Sequence, residues 1–312
     1  MERLPLSKKT IVKKRGNNTM TLNLIDLDEC VIRALDLFAK KQPPTISSPY
    51  KKPLVLGSGN AAVTGRIIFN NTPAVFADES TFEATYASAK DVDGCILISA
   101  SGGKHAPLLA KRIKELGLPV TLFTNNPQAP ARTIADTTLV FPKNPEPYTY
   151  NTSTYLGMIL GKTREDPTSI SQELARIKPT LPDFSAYNAF VILVPDKFDA
   201  VRELFLTKFD ELFGPVINGR VFTEDQVKHA KTVVPSDKEL FIGLGVENTL
   251  WGTHRYNTQL PKNAGPGTAM AIGYYIIGHI QKSHPPYFKD NIEAYTQKIS
   301  RVFGETITPI VD

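Results

Sequence analysis

The chain has 312 residues, 41% of them hydrophobic and 21% charged, a composition that excludes disordered and fibrous classes and suits a soluble globular chain long enough for two domains. Its net charge of +5 is carried by the first sixteen residues, where Arg3, Lys8, Lys9, Lys13, Lys14 and Arg15 face Glu2, leaving thirty charges of each sign elsewhere. The body is therefore neutral and carries no nucleic-acid footprint, and residues 1–16 read as a basic, flexible arm.

Cys30 and Cys95 fall within apolar patterns and read as buried thiols, not as a disulfide framework. No secretory segment follows the basic start, and the longest apolar run, 269–280, contains glycines and is too short to cross a bilayer. The expected location is cytoplasmic, with no membrane or nucleic-acid partner.

In chain order, the pattern predicts a helix over 25–40, with Leu27, Val31, Leu35 and Leu37 on its apolar side and Pro43-Pro44 ending it. A buried strand over 53–56 leads through the turn Gly57-Ser58-Gly59-Asn60 to a helix over 61–70. A strand over 73–77 and a short helix over 82–89 follow. The apolar run 95–98 then enters a turn with Ser99, Ser101, Gly102, Gly103 and Lys104. A helix carrying Leu109, Ile113 and Leu116 comes next, with Gly117 placed as its C-cap. Strands over 119–123 and 137–141, and a helix over 153–160, complete a first α/β unit. Residues 161–187, with a helix over 169–177, read as a connection. A looser second pattern follows: strands over 189–194 and 239–242, and helices over 198–213, 268–281 and 290–303.

The turn after the third strand suggests chemistry. Backbone N–H groups at a helix start, glycines that permit close approach, two hydroxyls and a lysine together suit a phosphate monoester. Gly57-Ser58-Gly59-Asn60-Ala61-Ala62 also fits a dinucleotide fingerprint, with Asp78 about twenty residues on as the ribose acid. One small phosphorylated ligand at the carboxyl edge of the sheet accounts for both turns together, whereas a dinucleotide leaves the second unexplained. No His or Cys spacing matches a metal site.

On these residues the first half resembles a sugar isomerase (SIS) domain: Gly57 to Asn60 after strand one, Phe76-Ala77-Asp78-Glu79-Ser80-Thr81-Phe82-Glu83 after strand two, Ile98 to Gly102, and Thr124-Asn125-Asn126-Pro127. The second half resembles, more weakly, the C-terminal domain of bifunctional phosphoglucose/phosphomannose isomerases over Lys208-Phe209-Asp210-Glu211 to His229. The resemblance implies two SIS-type, doubly wound, flavodoxin-like parallel-sheet domains with helices on both faces. The first spans 17–165 and the second 188–312, with a connection over 166–187. It implies interconversion of glucose 6-phosphate or mannose 6-phosphate with fructose 6-phosphate, without metal or organic cofactor. Gly57, Ser58, Gly59, Asn60, Ser99, Ser101, Gly102, Gly103 and Lys104 would hold the phosphate. Glu211 would move the C1/C2 proton and His229 would open the ring. Lys298 would supply a cation. His254 and Arg255 are further candidates, and Trp251 reads as packing. The expected assembly is a homodimer with the histidine reaching across. The alternatives are a non-catalytic sugar-phosphate sensor and an NAD-dependent oxidoreductase.

The sequence departs from the family where Lys104 replaces a usual threonine and Ala61 a frequent serine. Glu211 and His229 also stand about two residues further apart than the family spacing.

Overall fold

Short apolar runs without polar alternation fold here as parallel strands covered on both faces. The computed structural model describes residues 24–311, so the arm expected over 1–16 lies outside the described residues. After helix α1 (Leu27–Lys40), strand β1 (Pro53–Gly57) leads to α2 (Asn60–Phe69), β2 (Val75–Ala77), α3 (Phe82–Ser88), β3 (Gly94–Ile98), α4 (Ala106–Glu115), β4 (Val120–Thr124) and β5 (Thr137–Val140). All five strands run parallel, in the order β2-β1-β3-β4-β5. The order reverses between β1 and β3, which opens a crevice at their carboxyl ends.

The two-residue strand β6 (Glu146–Pro147) precedes α5 (Thr152–Thr163) and α6 (Pro167–Ile177). A second sheet is built from β7 (Ala189–Val194), β8 (Asn218–Thr223), β9 (Glu239–Leu244) and β10 (His254–Thr258). Between and after them come α7 (Arg202–Phe213), α8 (Glu224–Val227), α9 (Pro266–Lys282) and α10 (Tyr287–Phe303). This sheet is also parallel, in the order β10-β9-β7-β8, which repeats the order of the first four strands. Strand β11 (Ile310–Val311) returns to pair antiparallel with β6.

Alternate strand residues go to different cores. Val55, Ile96, Ile98 and Phe123 face inward from the first sheet, and Ile192 and Ile242 from the second; all belong to one cluster with α1, α5 and α9. Leu54, Leu56, Leu97 and Leu122 face the opposite way, onto Ala110 and Ile113 of α4. Val191, Leu193 and Phe241 form the outer cluster of the second sheet. The two sheets thus share one continuous core across a helical layer.

Strands β8 and β10 escape the sequence pattern because they are edge strands. Asn-Gly-Arg-Val-Phe-Thr and His-Arg-Tyr-Asn-Thr leave most of their positions partly or fully exposed, so no apolar run marks them. Helix α6 starts two residues before the expected 169. Pro167 occupies its first turn, and the Asp166 carboxylate accepts the N–H groups of Thr168 and Ser169.

Helices α1 and α9 cross closely at Gly278, where a Cβ would lie 2.1 Å from the Asp28 backbone nitrogen. Backbone cannot yield there as a side chain can. Gly278→Ala is expected to lower stability by about 1–3 kcal/mol, read as a reduced urea midpoint at unchanged slope. Among the described residues no helix is long and apolar enough to cross a membrane.

Candidate functional site

The turn between β3 and α4 lies open at the carboxyl edge of the first sheet. Gly102, at φ +59°, accommodates a bend that packs its Cα against Ala129, where a Cβ would meet the Ala129 Cβ at 2.4 Å. Ser99 Oγ accepts the Gly102 N–H and Ser101 Oγ accepts the Gly103 N–H, both at 3.2 Å. The loop after β4 braces the turn: Thr124 Oγ1 donates to the Ala100 carbonyl and Asn126 Nδ2 to the Ser101 carbonyl. Among the described residues, the N–H groups of Ser101, Lys104 and His105 have no acceptor. They form a set of donors at the start of α4, as an anion requires.

Six buried side-chain polar atoms among the described residues lack a hydrogen-bond partner, and four sit in turns at this edge. They are Asn60 Oδ1 at the start of α2, Asn125 Oδ1 after β4, the Thr152 hydroxyl at the start of α5, and the Thr149 hydroxyl after β6, which faces the Glu211 carboxylate. Buried polar groups are almost always paired, so water or a polar ligand completes these atoms.

Beside Thr149 lies a buried charged group. Lys208 of α7 has 0% of its side chain exposed and donates to Glu211 Oε2 at 2.5 Å and to the Thr149 carbonyl at 2.8 Å. Glu211 keeps 23% of its side chain exposed. Burial pushes its carboxyl above the ordinary range, and the Lys208 charge pulls it back. Glu146 caps α5 by accepting the N–H groups of Thr152 and Ser153 at 2.6 and 2.7 Å; burial raises its carboxyl as well. The positive φ of Thr149 (77°) and Asn151 (47°) bends this turn towards α7.

The C-terminal segment joins the two places. The Pro309 carbonyl accepts the Tyr148 N–H, β11 pairs with β6, and Glu305 Oε1 ion-pairs with Lys104 Nζ at 3.0 Å. Lys104 Nζ also lies 4.2 Å from the Phe303 ring centroid. The lysine of the expected phosphate turn is therefore bound to this segment.

The other expected residues are scattered. Gly57 is buried at the end of β1, while Ser58 and Gly59 are exposed. Ser58 Oγ donates to Glu79 Oε2 at 2.8 Å, which sets a carboxylate at that corner. Asp78 Oδ1 accepts the hydroxyls and N–H groups of Ser80 and Thr81, which hold its carboxyl down to about 2. That oxygen serves its own turn, not a ribose. His229 is exposed after α8, beyond the carboxyl end of β8, whereas Glu211 lies near the end of α7 from which the chain enters β8. The strand's length of about 20 Å separates them within one chain. Lys298 is exposed, away from the α10 face of Phe288, Ile292 and Thr296. Arg255 donates to the carbonyls of Leu250 and Trp251, and the His254 ring packs at 5.3 Å from Tyr187.

Sequence reasoning passed over Lys208, Glu146, Thr149 and Thr152. The available signal was Glu146-Pro147 ahead of Asn151-Thr152-Ser153-Thr154, an acid placed before a hydroxyl-rich helix start. Lys208 carried no signal, since a lysine on an amphipathic helix ordinarily faces water. Among the described residues no group of three or more His, Cys, Asp or Glu is arranged to hold a metal ion.

No protein-family model matches the chain, and no curated protein matches it. Solved structures do. Glucosamine-6-phosphate deaminase from Thermotoga maritima superposes at TM-score 0.57 with 12% identity, over 82% of this chain and 91% of that one. Tagatose-6-phosphate ketose/aldose isomerase from Escherichia coli gives TM-score 0.57 with 11% identity, over 84% and 92%. The C-terminal domain of glucosamine-fructose-6-phosphate aminotransferase from Francisella tularensis gives 0.53 with 12% identity, over 82% and 93%. The α/β fold of parallel sheets and helices expected from the sugar-isomerase resemblance is shared with these proteins, while the division into two domains is not shown.

Proposed function

We propose that the chain binds a hexose 6-phosphate at the carboxyl edge of its first sheet and interconverts the aldose and ketose forms. The observation that carries this reading is the gathering of unpaired polar atoms and free N–H groups at that edge, beside a half-sequestered carboxylate. The phosphosugar enzymes that share the fold support the substrate class. The reading treats the halves before and after 166–187 as two SIS-type units, in the manner of phosphoglucose/phosphomannose isomerases.

The N–H groups of Ser101, Lys104 and His105, with the hydroxyls of Ser99 and Ser101, hold the phosphate. Glu211 removes the proton from C2 of the open-chain aldose, and the electron pair moves through C1=C2 onto O1. The carboxyl returns that proton to C1 while the O2 proton passes to O1, which leaves the ketose. A carboxylate raised by burial is a stronger base for this step. Lys208 acts through Glu211, positioning and charging it, and occupies the role expected of Lys298. His229 opens the ring only from a second copy, which makes the site that of a homodimer.

The test pairs binding with turnover. Fructose 6-phosphate is expected to raise the melting temperature and to be converted to aldose, and Ser99→Ala/Ser101→Ala is expected to lower both effects at least tenfold. Binding without turnover identifies a sensor. Stabilisation by NAD(H) alone identifies a dinucleotide enzyme.

Lys104 gives a second check. Glu305→Gln releases it from an exposed ion pair of about 0–1 kcal/mol, so affinity for fructose 6-phosphate is expected to rise up to about fivefold by titration calorimetry. Unchanged affinity shows that Lys104 does not reach the anion.

A further inference from the structure

A cleft of about 320 Å³ lies between the two halves, where the ends of α2 and α5 meet the segment after β7 and the start of α9. That volume is at the small end of the range of about 300–1,000 Å³ for small-molecule sites. Two cations line it, Lys162 and Lys197, and neither has a carboxylate within ion-pair distance among the described residues. Lys162 Nζ lies 5.5 Å from the Phe69 ring centroid and Lys197 Nζ 4.8 Å from that of Phe198, so aromatic faces hold both stems. Lys197 Nζ donates to the Ala264 carbonyl at 3.5 Å. Asn70, Asn71, Thr72 and Thr163 add amide and hydroxyl groups to the lining.

The position of the cleft has a counterpart. Strand β7 occupies in the second sheet the place that β1 holds in the first. The segment after β1 and the start of α5 flank the candidate site; the segment after β7 and the start of α9 flank the cleft. A glutamate caps the helix in both. Glu165 accepts the N–H groups of Gly265, Gly267 and Thr268 and the Thr268 hydroxyl, as Glu146 accepts those of Thr152 and Ser153. Because Glu165 takes these N–H groups, an anion in the cleft is carried by the lysines.

We infer that this cleft is a second ligand site, specific for the phosphate group of a small phosphorylated metabolite. Two ammonium groups without an ion-pair partner among the described residues match a phosphate dianion, and the neighbouring amides and hydroxyls suit a polyol attached to it. The inference does not depend on catalysis at the first site.

The test is titration calorimetry of the full chain at low salt, with inorganic phosphate and with fructose 6-phosphate as separate probes. Wild type is expected to show one more binding event than Lys162→Met/Lys197→Met, each lysine contributing roughly tenfold in affinity. Ser99→Ala/Ser101→Ala is expected to keep the event that the lysine variant loses. Similar affinities for both probes assign the site to the free ion, and preference for fructose 6-phosphate assigns it to the ester. Lys197 is exposed, so Lys197→Met alone carries the test if the double variant does not fold. Equal numbers of events with equal affinities in wild type and lysine variants, or no binding of either probe to wild type, overturns the inference.

Discussion

Replacing Lys208 by methionine is expected to lower the free energy of unfolding by about 3–5 kcal/mol, the cost of leaving a buried charge without its partner. Lys208 is fully buried between Glu211 and the Thr149 carbonyl, and its charge also acts on Glu146. Methionine keeps most of the volume, so the loss reports charge, not a cavity. Removing the partner as well, in Lys208→Met/Glu211→Met, is expected to recover more than half of the loss, since two apolar groups leave less unsatisfied than one stranded carboxylate. Denaturant unfolding of the three proteins measures this.

The sign of the pH dependence follows from the same cluster. Burial raises Glu146 and Glu211 above their ordinary value of 4.5, so both bind protons more tightly folded than unfolded. Their contribution to stability is full below that value and falls as pH rises through the raised one. Without Lys208 both carboxyls shift further up, so the damage in Lys208→Met grows on going from acid towards neutrality. A loss independent of pH would show that Lys208 does not hold these carboxylates.

Glu211→Gln is expected to lower turnover of fructose 6-phosphate by about 10²–10⁴-fold, the usual contribution of a positioned general base. Glutamine preserves the shape and one acceptor oxygen for Lys208, so fructose 6-phosphate affinity should change less than about threefold by calorimetry. In the wild type the acid limb of kcat/KM should lie above the ordinary carboxylate range, because burial raises Glu211. Lys208→Met moves that limb to higher pH, a shift that a purely structural lysine does not produce. Unchanged turnover in Glu211→Gln removes Glu211 from the chemistry.

Much of the first half was legible because its elements are local and strongly patterned. The five residues of β3 are all buried, α4 follows the glycine turn as expected, and Gly117 takes φ +80° at the helix end. The serine turn was legible for the same reason: glycine and hydroxyl spacing encodes a turn directly. What escaped depends on distant pairing. Strands β8 and β10 lie at sheet edges where polar residues are tolerated. The pairing of β6 with β11 joins residues more than 160 positions apart, and only folding puts Glu305 on Lys104. Lys208 illustrates the limit best. Its burial is set by Glu211 three residues on and by a carbonyl 59 positions away, which no helical periodicity records.

The central claim is that an anionic group is held at the Ser99–His105 corner, with Glu211 facing the sugar. A crystal soaked with fructose 6-phosphate tests it most directly. The expected result places phosphate oxygens within about 3 Å of the N–H groups of Ser101, Lys104 and His105, with C1 and C2 directed towards Glu211. A sugar phosphate seated elsewhere, with that corner occupied by solvent alone, contradicts the account.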